Sequence, residues 1–193
     1  GTGTVAIKSQ GLVTIPAVPA VTVGPVTNLT NFLVGPGVIE SAASAITGAL
    51  HDVSSTGFSF DYNIPAGSSD WGGGILVFNA KDALNNPIRP DLTSGNLIFE
   101  ASGTGTLRVS VSDDVVVGTN ADGTPKYRSV TLLFTGITAT NKFISITKTD
   151  LLKAAGDFGY DTITSVSFIV DKDVATGTGT VAIKSQGLVT IPA

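Results

Sequence analysis

Cysteine and methionine are both missing from this chain. Without cysteine there is no disulfide, no thiolate metal site and no thiol nucleophile. The absence of methionine, position 1 included, leads us to expect a processed or internal piece of a longer product. Histidine occurs once, at His51, so a Ser-His-Asp relay would have to run through that ring. His51 sits in HDVSST beside Asp52, with no G-x-S-x-G elbow, and reads as an exposed loop histidine following a helix. Charge is sparse, at 13% of residues, and Lys and Arg are scattered. Nucleic-acid binding needs clustered cations to displace counterions, so it is set aside. No apolar run reaches the length of a membrane span. Only two glutamates occur, Glu40 and Glu100, and neither stands in a glycosidase motif. An enzyme is not expected.

What the chain does have is a repeat. Gly1 to Ala17 read GTGTVAIKSQGLVTIPA, and Gly177 to Ala193 read the same, letter for letter. The segment alternates as a strand does, with Val5 and Ile7 on one side and Thr4, Ala6 and Lys8 on the other. One domain has one slot for one such strand. The surplus copy therefore belongs to a preceding repeat or pairs with a neighbouring molecule by strand addition. The residues expected to carry that assembly are Val5, Ile7, Leu12, Val13 and Ile15, with their counterparts Val181, Ile183, Leu188, Val189 and Ile191.

Apolar residues make up 42% of the chain, enough for a full core, and Thr, Val, Ile and Gly dominate. Three parts are expected: the duplicated strand 1–17, a Pro-rich extended arm 18–37, and a β-sandwich domain 38–193. Pro16, Pro19, Pro25 and Pro36 argue against central-strand pairing in the arm. The spacing of Ile39, Ala42, Ala43, Ile46 and Leu50 suggests a short helix over 38–50. From Gly57 onward strands and turns alternate: GFSFDYNIP, ILVF, LIFE, TLRVSVSD, SVTLLFTGIT, KFISIT, SVSFIV and TGTVAIK. Asp122-Gly123 marks a hairpin turn, and Thr149 or Asp150 could cap a short helix ended by Gly156. About nine or ten strands at this spacing predict an all-β sandwich or jelly roll with one or two short helices.

Candidate sugar platforms are Trp71, Tyr62 and Tyr127, with Tyr160 behind them, because aromatic faces stack on sugar C–H faces. Trp71, in SSDWGGG, reads as part of an exposed loop, and fits a loop anchor packed on the sheet or on a neighbouring subunit better than a sugar platform. Asp171 and Asp173 in the loop DKD, or Asp122 with Asn120, are candidate calcium ligands, although no D-x-D-x-D-G loop occurs. Calcium is the one cofactor considered.

Three stretches carry a family resemblance. GFSFDYNIP with WGGGILVFNAKD, then RSVTLLFTGITATNKFISITKTDL, then TSVSFIVDKDVATGTGTVAIKSQGL resemble the carbohydrate-binding-module-like, galactose-binding-like jelly rolls. These serve as ancillary domains of bacterial surface proteins and glycosidases. The resemblance implies an early strand pair, ligand-face strands followed by a turn and short helix, and a closing strand in the carboxy-terminal copy. Where the family often has an acidic residue for a structural calcium, this chain has Lys184. The expected function is a structural subunit or tandem-repeat unit of an extracellular fibre, adhesin or sheath, with copies of itself as partners. The alternative is a carbohydrate-binding module of a secreted or surface protein, with glycans as partners.

Overall fold

The computed structural model describes residues 26–27, 29–41, 45–47, 49–54, 57–103 and 105–190. Within them ten strands are formed: β1 Val26–Thr27, β2 Leu33–Glu40, β3 Gly57–Ile64, β4 Trp71–Phe78, β5 Gly95–Ser102, β6 Gly105–Thr119, β7 Pro125–Ile137, β8 Lys142–Ile146, β9 Ser165–Asp171 and β10 Gly177–Thr190. One helix, α1 (Lys148–Ala154), lies between β8 and β9. One sheet runs β1-β10-β5-β8, with β3 also paired to β10; the other runs β2-β4-β9-β6-β7. The protein is an all-β sandwich, as the alternation predicts.

Period-two alternation places one side of each strand in the core. Phe58, Phe60, Tyr62 and Ile64 of β3, with Val181 and Ile183 of β10, are buried from one sheet. Leu76 and Phe78 of β4, with Val166, Phe168 and Val170 of β9, are buried from the other. Phe168 bridges the two layers, meeting Phe99 edge-on at 5.0 Å between centroids and Phe58 at 6.0 Å. Edge-to-face pairs of this kind add about 0.5–1.5 kcal/mol to the burial of the rings.

Two expectations about the first half change. The described part of the expected arm lies on the sandwich, with β2 paired to β4 from Leu33 to Glu40. Pro36 is accommodated because β2 is the edge of its sheet, where a missing N–H breaks no inner ladder. The run 38–50 forms no helix in its described residues: it supplies the end of β2 and then an isolated bridge from Ile46 to Tyr62, and His51 just beyond it bridges to Ser59. Its apolar spacing reflects contact with the sandwich, where Ala45 and Ile46 are buried. The second change concerns Trp71 in SSDWGGG: Ser68 to Asp70 are loop, but Trp71 to Gly74 are the first half of β4.

Elsewhere the turn chemistry behaves as expected. Residues 120–124 close the β6–β7 hairpin, with Gly123 at φ 85° and Asn120 N–H donating to the Thr124 carbonyl at 2.8 Å. The cap of α1 lies at Thr147, ahead of the expected Thr149 or Asp150. Thr147 accepts from Asp150 N–H and Asp150 accepts from Thr147 N–H, so Asp150 closes a capping box instead of being the cap. The carboxy-terminal copy is β10, an inner strand held by β3, β1 and β5. Gly1–Ala17 and Ile191, including Val5, Ile7, Leu12, Val13 and Ile15, lie outside the described residues.

Candidate functional site

The outer face of the β2-β4-β9-β6-β7 sheet is built from alternate residues of strands whose other side is core. β9 reads SVSFIVD: Val166, Phe168 and Val170 turn inward, leaving Ser165, Ser167, Ile169 and Asp171 outward. β6 reads TLRVSVS, with Leu107, Val109 and Val111 inward and Arg108, Ser110 and Ser112 outward. The register aligns these into cross-strand rows. Ile75, Ser167, Ser110 and Thr131 form one, and Val77, Ser165, Ser112 and Ser129 the next. The middle of the face is a floor of hydroxyls. Ser165 and Ser167 are nearly covered by their neighbours, at 9% and 7% exposure.

An aromatic ring stands at each end of this floor. Trp71, 37% exposed, opens β4 opposite Asp171. Tyr127, 42% exposed, lies on β7 opposite Val116, between two irregularities of the β6–β7 ladder. Beside Tyr127 is a cleft of about 270 Å³, lined by Ile75, Val77, Phe78, Asn79, Arg89, Tyr127, Thr164 and Ser165. Arg89 reaches back to donate from Nη1 to the Phe78 carbonyl. Its Nε is buried and has no hydrogen-bond partner, the sole such side-chain atom among the described residues. A buried guanidinium N–H without an acceptor costs about 1–3 kcal/mol or more.

At the Trp71 end, Arg108 Nε donates to Asp171 at 2.5 Å and its Nη2 to Asp173 at 3.2 Å. The structure therefore brings the two expected calcium ligands together, but around a guanidinium. Among the described residues no group of three or more His, Cys, Asp or Glu is placed to hold a metal. Asn120 and Asp122 are engaged with Thr124 in the hairpin loop.

Of the expected sugar platforms, Trp71 and Tyr127 share this face and Tyr62 does not. Tyr62 is a core residue, 6% exposed, because its place on β3 has the parity of Phe58 and Phe60. Tyr160 is half-buried under the Lys148 ammonium, 4.0 Å from the ring centroid. Arg89 and Arg108 carry no local signal in the sequence, since a single arginine between turn residues or on a strand looks like any surface cation.

The outer face of the other sheet is more charged. His51 is held between Asp52 at 2.9 Å and Asp61 at 3.4 Å, and Asp61 accepts from the Thr180 hydroxyl at 2.5 Å. The bond to Asp52, helped by Asp61, raises the imidazole pKa above its ordinary value. The Thr180 hydroxyl bond chiefly lowers that of Asp61. The nearby threonine thus serves the carboxylate, not the ring, and no nucleophile–base pair is made at this histidine. A cleft of about 260 Å³ lies alongside, lined in part by Asp52, Glu100, Asn141 and Lys184. Glu100 there is already matched by Asn141 at 2.7 Å and Gln186 at 3.1 Å.

No family model matches the chain, and no curated protein sequence matches it. Solved structures do. A family 30 carbohydrate-binding module matches at 16% identity with a TM-score of 0.53, over 82% of this chain and 92% of that one. The family 30 module of a cellulosomal cellulase from Clostridium thermocellum matches at 15% identity with a TM-score of 0.49, over 80% and 90%. At such identity the likeness is one of fold: this chain has the β-sandwich of the carbohydrate-binding modules. No helix among the described residues is long and apolar enough to cross a membrane.

Proposed function

We propose that the protein is a carbohydrate-binding module that receives a glycan on the outer face of the β2-β4-β9-β6-β7 sheet, from the Tyr127 cleft toward Trp71. The observation that carries this reading is the exposed Tyr127 ring at the side of a cleft that the Arg89 guanidinium also lines. A sugar suits both. Its C–H face lies on the ring, and a hydroxyl or ring oxygen accepts from the guanidinium. The cleft, at about 270 Å³, is at the small end of ligand sites and suits one sugar ring. The hydroxyls of Ser110, Ser112, Ser129 and Thr131 offer donors and acceptors without charge, which fits a neutral chain of further sugars. Its place is outside the cell, where such glycans are met.

The test is a glycan array followed by calorimetry with the wild-type chain, Tyr127→Ala and Trp71→Ala. Wild-type binding with a tenfold or greater loss in Tyr127→Ala, about 1.4 kcal/mol, is expected. If the wild-type chain binds no glycan on the array, the reading fails.

A further inference from the structure

The arginines of the chain, Arg89, Arg108 and Arg128, are held in two different ways. Arg108 is clasped by Asp171 and Asp173, and Arg128 by Asp113 and Asp157. Arg89 forms no ion pair among the described residues. It is tied instead by Nη1 to the carbonyl of Phe78, the last residue of β4. Its side chain is half-buried, and the cleft that it lines contains no Asp or Glu.

Counter-charge is not scarce in this protein, which has 15 acidic residues against 11 Lys and Arg. A guanidinium drawn partly out of water without a carboxylate keeps a desolvation cost that Arg108 and Arg128 offset by pairing. The other polar groups of the cleft are neutral. The Thr164 hydroxyl is committed to the carbonyls of Ser112 and Asp113, which leaves Asn79, Ser165 and the Tyr127 hydroxyl beside the charge. A carboxylate matches the guanidinium fork, and hydrogen bonds between the two are about twice as strong as neutral ones. A small inorganic anion would answer the charge but leave the exposed Tyr127 ring bare. An uncharged sugar would cover the ring and leave the charge unmatched. A sugar that bears a carboxylate answers both.

We infer that the Tyr127 cleft takes an acidic sugar, a uronic acid whose carboxylate pairs with Arg89 while its ring lies on Tyr127. The inference rests on the glycan-binding reading above and adds the charge of the sugar to it. The preference belongs to this end of the face. At the Trp71 end two aspartates already surround Arg108, so a further carboxylate there would meet net negative charge. The fitting glycan is acidic in the cleft and uncharged where it passes over the serines toward Trp71.

The test uses an array of oligosaccharides that carry a single glucuronic or galacturonic acid, beside the same oligosaccharides as methyl esters and uncharged glycans. Calorimetry follows on those that bind. The wild-type chain should hold the acids roughly tenfold or more tighter than their esters. Added NaCl should narrow that gap, because salt screens the pairing. Arg89→Gln should bind acid and ester alike, and Arg89→Lys should keep part of the preference, having the charge without the fork. Equal binding of acids and esters by the wild type, binding confined to uncharged glycans, or a preference unchanged in Arg89→Gln overturns the inference and leaves the glycan reading standing. Binding of no glycan at all overturns both. A thermal melt establishes that Arg89→Gln is folded. If it is not, the salt series on the wild type decides: a gap that narrows with NaCl upholds the pairing, and a gap that does not overturns it.

Discussion

The ring of Phe58 fills the space that a side chain at Gly74 would need: a Cβ built there would lie 2.1 Å from the ring's Cε2. Gly73 is tighter still, with the Phe168 carbonyl oxygen 1.8 Å from its Cβ position, and Gly72 faces Ile46 at 2.6 Å. Three successive glycines, ordinarily unfavourable in a strand, are what let β4 lie close to its neighbours. Gly74→Ala should lower stability by about 1–3 kcal/mol, and Gly73→Ala by more, because backbone cannot swing away as a ring can. Gly118, with nothing near its Cβ position, is the control, and its alanine variant should stay within about 0.5 kcal/mol of wild type. Urea denaturation of the three variants measures this, and equal loss in all of them would refute the packing argument.

The same glycines mark where the sequence misleads. GFSFDYNIP and SVSFIV announce themselves because every second residue is large and apolar. WGGG reads as a loop because the signal that makes it a strand is the size of its neighbours, Phe58 and Ile46, which lie far along the chain. Tyr62 was legible as an alternating residue, but its side of the strand depends on the partner sheet, and that side is the core. Of the proposed binding face, Trp71 and Tyr127 could be picked out as aromatics, and the serines only as the polar half of an alternation. Arg89 became visible through a property no sequence displays, a buried N–H left without an acceptor.

Asp113 is a fully buried carboxylate turned toward the core side of β6, and Arg128 is the group that neutralises it. Arg128 Nε donates at 2.9 Å and Nη2 at 2.5 Å, while Gly159 N–H and Val115 N–H donate at 2.9 and 3.1 Å. The pair ties the loop after α1 to the β6–β7 hairpin, and Asp113 correspondingly raises the Arg128 pKa. Arg128→Ala should cost about 3 kcal/mol, because it leaves a buried charge with backbone donors alone. Arg128→Lys should recover only part, since an ammonium cannot reproduce the two-pronged contact. Thermal melts of both variants check the order; a lysine variant as stable as wild type would contradict it.

His51 should titrate above the ordinary imidazole value of about 6.5, because Asp52 and, more weakly, Asp61 favour its charged form. The sign follows. A raised pKa means the protonated ring adds stability at pH below its unfolded value and loses that contribution as pH rises through the folded one. The ring is well exposed, so the effect on stability is small and the titration itself is the better readout. In an NMR titration Asp52→Asn should bring the midpoint back toward the ordinary value, and Asp61→Asn should move it less. A midpoint unchanged in Asp52→Asn would show that the neighbouring carboxylate is not the cause.

Trp71 and the Tyr127 cleft lie at opposite ends of one strand's length. Trp71 pairs with Asp171 and Val77 with Ser165, six residues apart on β4, which is about 20 Å along the sheet. One sugar in the Tyr127 cleft therefore cannot touch Trp71, whereas a longer chain running over the serine floor can. Loss of the tyrosine ring should weaken binding of short and long oligosaccharides alike. Loss of the indole should leave the shortest ligands unaffected and weaken the longer ones, by about 0.5–1.5 kcal/mol once the chain spans the face. Calorimetry of Tyr127→Ala and Trp71→Ala against a series of increasing chain length separates the two. If Trp71→Ala weakens every length equally, or none, the glycan does not run along β4 and the site is confined to the cleft that Arg89 and Tyr127 share.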